Sequence, residues 1–281
     1  MKTPAITLHC IALGLIFWVL FPAAGAQPEL VTNTEPQRVF FGEAEKIFIS
    51  FHNASDQIFE GEIHARIFQT SSATAAQVGK IFWKKLQLLP GQTVLESARL
   101  SFPEVKAETK FLIQWVEGTN HIIGRTEVLV YPTNLLEELK PLAGNRTLGV
   151  FDPQNQLKPL LKNLNLDSAD LENSGLTNFL GKLAIVGPFR SRSQEPDDLP
   201  TQIKTLAKKN VAVIWIQPPE KHGEIKPSFY SVPDRQTATV IVQPELVSNL
   251  PENPRSQLNL IYFCKLALNP QPLVLPDLLP P

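Results

Sequence analysis

The residues with the clearest capacity for chemistry lie in a short loop in the second half of the chain. Between positions 187 and 193, Arg190 and Arg192 alternate with serines. Guanidinium groups beside hydroxyls are good donors for carboxylates, phosphates and sugar hydroxyls. Asp152 and Gln217 follow two other apolar segments, and ligands of open parallel sheets bind beyond the carboxyl ends of the strands. We therefore expect a ligand-binding rim formed by Asp152, Arg190, Arg192 and Gln217.

The two arginines also have a simpler interpretation. Glu195, Asp197 and Asp198 follow them closely in the sequence. Arginine and carboxylate side chains in an exposed loop often form ion pairs that contribute little to stability or function. In this alternative the loop is a solvated surface segment, and it binds nothing.

The sequence shows no recognisable catalytic machinery. No Gly-x-Ser-x-Gly elbow frames a serine, so the serines of the loop with Asp197, Asp198 and His222 do not predict a hydrolase triad. The acidic stretch 167–172 lacks the cleft that carboxylate pairs need for glycoside hydrolysis, and we interpret it as a solvated loop. The catalytic set is therefore expected to be empty.

Metal and cofactor sites are not predicted either. The histidines beyond position 26 are scattered, without His-x-His or His-Glu-x-x-His spacing, and no cysteine pair accompanies them. Glycine motifs for phosphates or dinucleotides are missing. Cys264, in an apolar helical pattern, is expected to be a small buried hydrophobe. The scattered histidines are His52, His64, His121 and His222.

The elements that position the rim follow from hydrophobic patterning. After residue 146, short and nearly continuous apolar segments alternate with helical patterns, which indicates a parallel sheet covered on both faces. We expect strands at 147–151, 182–187, 211–216 and 237–242, and helices at 157–164, 199–209 and Pro254–Leu268.

The first half has a different pattern. Short alternating segments follow one another without helical spacing, which is typical of an antiparallel β-sandwich. The expected strands are 46–51, 58–69, 80–88, 93–101, 110–117 and 122–131. The fold class is therefore two domains, an immunoglobulin-like sandwich followed by a small α/β domain.

The N-terminus has the three parts of a signal peptide. Met1-Lys2 precedes an apolar run, and Ala24-Gly25-Ala26 precedes Gln27. We expect cleavage between Ala26 and Gln27, with no stable membrane span afterwards. The alternative is a retained anchor, because the apolar run is almost long enough to span a bilayer.

These patterns divide the chain into five parts. They are a signal peptide at 1–26, the sandwich at 27–132, a linker helix at 133–146, the α/β domain at 147–250, and a C-terminal helix with a proline-rich tail at 251–281. The formal net charge of −1 gives no reason to expect nucleic acid as a partner.

The order of strands and helices in the second half resembles that of a known fold. A strand with Asp152-Pro153 and a helix, then a strand ending in Gly187-Pro188, resembles the class I glutamine-amidotransferase-like fold over roughly residues 147–250. It resembles in particular the non-catalytic versions that follow β-sandwiches in exported bacterial proteins, including β-galactosidase-type trimerisation domains. Enzymes of that family carry a cysteine on a strand-to-helix elbow. Here Gln217-Pro218-Pro219 stands nearest to that place, so amidotransferase activity is not implied.

The combined interpretation is a non-enzymatic exported protein, periplasmic or secreted. The resemblance implies a binding or assembly module of a bacterial envelope, with a protein or carbohydrate partner and no cofactor. The alternative is an accessory domain protein or hydrolase acting on polysaccharide. A pocket with converging acids or a nucleophile would favour the enzyme.

Overall fold

The protein consists of an all-β part and an α/β part, joined by a short helical segment. The computed structural model describes residues 28–31, 35–144, 146–189, 191–217, 228–231 and 237–270. The expected cleavage site at Ala26 and Gln27, the proline-rich tail after Pro270, and Arg190 lie outside the described residues. None of the helices in these ranges is long and apolar enough to cross a membrane.

The all-β part contains two sheets that share one core. The three-stranded sheet has the order β1-β3-β6, and the five-stranded sheet has the order β2-β8-β7-β4-β5. Alternation along the strands sends every second side chain inward, and Trp115 at the centre is fully buried against Phe51 and Trp83. The strands are β1 (Pro28–Val31), β2 (Gln37–Phe40), β3 (Gly42–Asn53), β4 (Phe59–Thr70), β5 (Ala75–Leu88), β6 (Thr93–Phe102), β7 (Thr109–Glu117) and β8 (His121–Tyr131).

The two-sheet architecture was predicted, with two differences. The short strands β1 and β2 were not predicted, because four residues are too few for an alternation signal. β2 also runs parallel to β8, so the expectation of a purely antiparallel arrangement was wrong for this pair. Its parallel direction is set by pairing with a strand about 90 residues away in the sequence, which local pattern does not report.

The α/β part is built on one six-stranded sheet of order β10-β9-β11-β12-β14-β13. All neighbours are parallel except β13, which is antiparallel to β14. The elements are α1 (Leu139–Leu142), β9 (Leu148–Phe151), α2 (Lys158–Asn163), β10 (Ser168–Asp170), α3 (Leu171–Ser174), β11 (Leu183–Val186), α4 (Leu199–Lys208), β12 (Ala212–Ile216), β13 (Ser228–Ser231), β14 (Ala238–Val242) and α5 (Pro254–Leu268).

Each face of this sheet has its own core. Ile214 and Ile216 pack with α5 on one face, whereas Val213 and Trp215 pack with α4 on the other. The nearly continuous apolar strands that the sequence predicted follow from this double burial.

The sequence predicts a solvated loop for the acidic stretch 167–172, and this prediction is wrong. The stretch contains strand β10 and the start of α3, and the Asp170 carboxylate accepts hydrogen bonds from the backbone N–H groups of Glu172 and Asn173. The predicted linker helix is a 3-10 turn (Leu135–Glu138) followed by α1. Leu136 and Leu139 of this segment are buried in the core of the α/β part.

Candidate functional site

The rim residues lie at the predicted edge of the sheet but not all on one face. β9, β11 and β12 are adjacent and parallel, so Asp152, Gly187 and Gln217 follow strand ends at the same edge. The structure brings Arg192 to Gln217 and leaves Asp152 apart from them.

Arg192 and Gln217 are in direct contact. The Nη2 of Arg192 donates a hydrogen bond of 2.8 Å to the Oε1 of Gln217. Gln217 is only 5% exposed, and its backbone N–H donates to the carbonyl of Val242 at 3.0 Å. Its Nε2 is buried, and the described residues provide no acceptor for it. Arg192 therefore orients this amide, and the two hydrogens of its nitrogen have no acceptor within the described part of the chain.

Gly187 allows the loop that carries Arg192 to lie close to the end of β12. It has a φ of +100°, and a Cβ at this position would lie 2.3 Å from the carbonyl oxygen of Ile216. Its N–H donates to the carbonyl of Phe151 at 2.8 Å. Since only glycine fits there without displacing the backbone, the loop that carries Arg192 turns directly beside the end of β12.

Two residues that the rim prediction did not include also have buried polar atoms, and they are Glu195, which feels the charge of Arg192, and Trp215, two positions before Gln217. The Oε1 of Glu195 and the Nε1 of Trp215 are both buried without a hydrogen-bond partner among the described residues. Burial raises the pKa of Glu195, and the nearby charge of Arg192 opposes that shift. Trp215 precedes Gln217 by two positions on a strand, so both side chains lie on the face that α4 covers. Trp215 had been interpreted only as part of an apolar strand.

Asp152 lies apart from the Arg192–Gln217 pair, with hydrogen-bond partners of its own. It is 1% exposed, and its Oδ2 accepts hydrogen bonds from the N–H groups of Leu157 (2.7 Å) and Lys158 (3.0 Å) at the start of α2. Its own N–H donates to the carboxylate of Glu172. Strand alternation from Val150 places Asp152 on the opposite face from Trp215. A position at a strand end shows at which end of the sheet a residue lies, but it does not show on which face of the sheet the side chain lies.

The arrangement around Gln217 suits recognition of hydroxyl groups. Gln217, Trp215 and Glu195 contribute an amide donor, an indole N–H and a carboxylate oxygen that are buried without a partner among the described residues, and the charge of Arg192 acts on Glu195. Buried polar groups in native proteins are nearly always paired, so unpaired ones at a strand edge are a candidate site for a polar ligand.

A nucleophile or metal centre does not emerge from the described part of the chain. Cys264 is fully buried in the core under α5, and this burial raises its pKa, which keeps the thiol protonated. Across the described ranges, no group of three His, Cys, Asp or Glu side chains is arranged to hold a metal ion.

Comparisons with known proteins give little further guidance. No protein-family profile matches the sequence, and no curated protein matches it. Among solved structures, the chain is similar to a β-glucosidase from Listeria innocua (17% identity, TM-score 0.29, 38% of this chain and 16% of that one). It is also similar to an alkylpurine DNA glycosylase from Pseudomonas fluorescens (12%, TM-score 0.28, 38% and 31%).

A third such structure is a GH3 β-glucosidase from Bifidobacterium adolescentis, at 12% identity and a TM-score of 0.25, with 38% of this chain and 17% of that chain covered. The chain thus spans about a sixth of the β-glucosidases that it matches. TM-scores at this level do not define a common fold, and no conclusion about this chain rests on them.

Proposed function

We propose that this chain is a non-enzymatic exported binding module whose α/β domain holds a neutral, hydroxyl-rich ligand beside Arg192 and Gln217. The observation that carries the proposal is the Gln217 side chain, which is 5% exposed, accepts from Arg192 through its oxygen, and has no acceptor for its nitrogen among the described residues. A buried donor without an acceptor costs about 1–3 kcal/mol. A sugar hydroxyl that accepts from Nε2 would offset this cost on binding.

The charges of the site favour a neutral ligand. Arg192 and Glu195 are neighbours of opposite sign, so a bound group does not need to bring a charge. Hydroxyls both donate and accept hydrogen bonds, which matches the unpaired Glu195 oxygen as well as the Gln217 amide. Among the expected partners, carbohydrate fits this donor and acceptor set.

The domain types that the sequence resembles fit this role. The facing sheets β1-β3-β6 and β2-β8-β7-β4-β5 support an immunoglobulin-like assignment for the first domain. The parallel sheet with helices on both faces supports the amidotransferase-like assignment for the second. A glutamine before two prolines, in place of the family's cysteine elbow, supports a non-catalytic version.

Export is proposed from the leader alone. Strand β1 begins at Pro28, directly after the expected mature terminus Gln27. Cleavage after Ala26 would therefore leave the pairing between β1 and β3 whole.

The test is affinity electrophoresis of the chain from Gln27 onward, in gels that contain soluble neutral polysaccharides. We expect retardation in at least one gel, without release of reducing ends. Gln217→Met removes the amide at similar volume and should abolish the retardation. Gln202→Met, on α4, is the matched control and should behave like the unchanged protein.

Two results would overturn the proposal. Retardation that survives Gln217→Met would show that binding occurs elsewhere. Release of reducing ends that depends on Gln217 or Glu195 would show that the chain is a hydrolase.

A further inference from the structure

A cleft of about 760 Å³ lies between the two domains, separate from the Arg192 site. Strands β2 and β3 line it from the sandwich. The turn 244–248 and the start of α5 line it from the α/β domain. Its volume falls within the range of small-ligand sites, which often lie at domain interfaces.

Arg255 in the cleft is incompletely paired, whereas Arg38 also donates a hydrogen bond to the hydroxyl of Tyr131. The Nε and Nη2 of Arg255 are buried without a hydrogen-bond partner among the described residues. The nearest acid is Glu35, whose carboxylate lies 3.7 Å from Arg255 and 3.9 Å from Arg38. A single carboxylate at these distances serves two guanidinium groups without forming a close bond to either. Lys46 adds a third positive charge to the lining.

The backbone increases the positive potential at this place. The 15-residue helix α5 begins here, and Asn253 caps it by accepting from the N–H groups of Arg255 and Ser256. The amino end of a helix favours a negative group. The guanidinium groups and the helix end therefore both favour a negatively charged ligand.

The other residues that line the cleft favour a carboxylate over a phosphate. Glu35 and Glu245 also face the cleft, and they would repel a phosphate dianion more strongly than a carboxylate monoanion. A planar guanidinium matches a carboxylate with two parallel hydrogen bonds. Ser248 and Asn259 supply polar groups beyond the charged centre.

One apolar surface completes the cleft. The Phe48 ring is 44% exposed, and the Lys46 ammonium lies 4.9 Å from its centroid. An aromatic ring beside hydroxyl and amide groups suits a sugar ring, which has an apolar C–H face and a polar rim. From these contacts we propose that the cleft binds an acidic carbohydrate, with the carboxylate of a uronic acid between Arg255 and Arg38.

Calorimetric titration of the chain from Gln27 onward with a galacturonic acid trimer tests this inference. The neutral galactose trimer and inorganic phosphate are the comparison probes. We expect the acidic trimer to bind at least ten times more tightly than either. Arg255→Gln should weaken its binding by about tenfold or more, because a hydrogen bond between charged groups is worth about 1.5–3 kcal/mol.

Three further variants distinguish a loss of binding from misfolding. Lys46→Ala removes an exposed side chain at low risk to the fold and should weaken binding severalfold. Arg66→Gln changes an arginine on β4 that does not line the cleft and that donates to the carbonyl of Thr119, and it should have no effect. Arg192→Gln should also leave this titration unchanged, which separates the cleft from the proposed site in the α/β domain.

Equal binding of the neutral trimer would overturn the role of the carboxylate. Phosphate that binds as tightly as the acidic trimer would overturn the carbohydrate class. Unchanged binding in both Arg255→Gln and Lys46→Ala would overturn the location.

Discussion

At the residue scale, the difference between a structural and a functional polar group lies in its hydrogen bonds. Asn53 is fully buried, and its amide donates to three carbonyl groups, those of Gln57, Leu88 and Leu89. Gln217 is almost as deeply buried, yet its amide nitrogen has no acceptor among the described residues. Asn53 thus has its amide hydrogen bonds within the sandwich, whereas in the proposed function a ligand supplies the acceptor for Gln217.

Cys264 gives a prediction at the same scale. Its thiol is fully buried among Leu260 and Phe263, so Cys264→Ala exchanges one small buried group for a slightly smaller one. We expect a loss of about 1 kcal/mol in the free energy of unfolding, measured by urea denaturation, and no change in polysaccharide retardation. The native thiol should also resist alkylation until the protein unfolds. Rapid alkylation of the native protein would contradict the burial and reopen an enzymatic role.

At the scale of elements, local pattern identified most of the fold. Helix α5 (Pro254–Leu268) matches its predicted bounds, and β6, β7 and β8 match theirs within one residue. In these elements the hydrophobic periodicity extends over enough residues to be recognised. The short strands β1, β2 and β10 were missed because their pairing is decided by distant partners.

Local sequence pattern also predicted only part of the candidate site. The sequence placed Arg192 and Gln217 at strand ends, and they do meet. The position of Asp152 on the opposite face was not predicted, because it depends on strand phase and on the hydrogen bonds of Asp152 at the start of α2. Glu195 and Trp215 carried no signal beyond charge and hydrophobicity, since only the assembled sheet leaves their polar atoms unpaired.

The cap at α2 is testable by comparing two substitutions. Asp152→Ala removes the acceptor of the Leu157 and Lys158 N–H groups, and we expect a loss of about 2 kcal/mol in the free energy of unfolding. Asp152→Asn keeps an oxygen acceptor and should cost clearly less. Thermal and urea denaturation of both variants provide the measurement. Equal losses would show that the charge of Asp152, and not its hydrogen bonds, is what the protein needs.

At the scale of the whole molecule, charged groups of the sandwich lie near charged groups of the α/β part. The helical linker belongs to the second domain, because Leu136 and Leu139 are buried there and Glu138 pairs with Lys265 on α5 at 2.6 Å. On the sandwich side, Glu45 of β3 is close enough to Glu252, just before α5, for the two charges to repel. The Glu138–Lys265 pair thus holds the linker to α5, whereas the contact with the sandwich brings two negative charges near each other.

This repulsion predicts a pH dependence of stability. Burial, and then the charge of Glu252, raise the pKa of Glu45 above the ordinary carboxyl value of 4.5. A carboxyl group with a raised pKa binds its proton more tightly in the folded state. Its unfavourable contribution is therefore absent in acid and develops as the pH rises through and above 4.5.

Glu252→Gln removes the second of these two causes and should stabilise the protein near neutral pH. The variant can still accept the hydrogen bond that Asn249 donates at 3.1 Å. We expect a gain of a few tenths of a kcal/mol, because water screens the partly exposed pair, and we expect the gain to vanish at about pH 4, where carboxyl groups take up protons. Glu60→Gln, an exposed position on β4, is the control and should show no such pH-dependent gain. Urea denaturation across this pH range provides the measurement. A gain that persists unchanged in acid would show that Glu252 acts through packing and not through its charge.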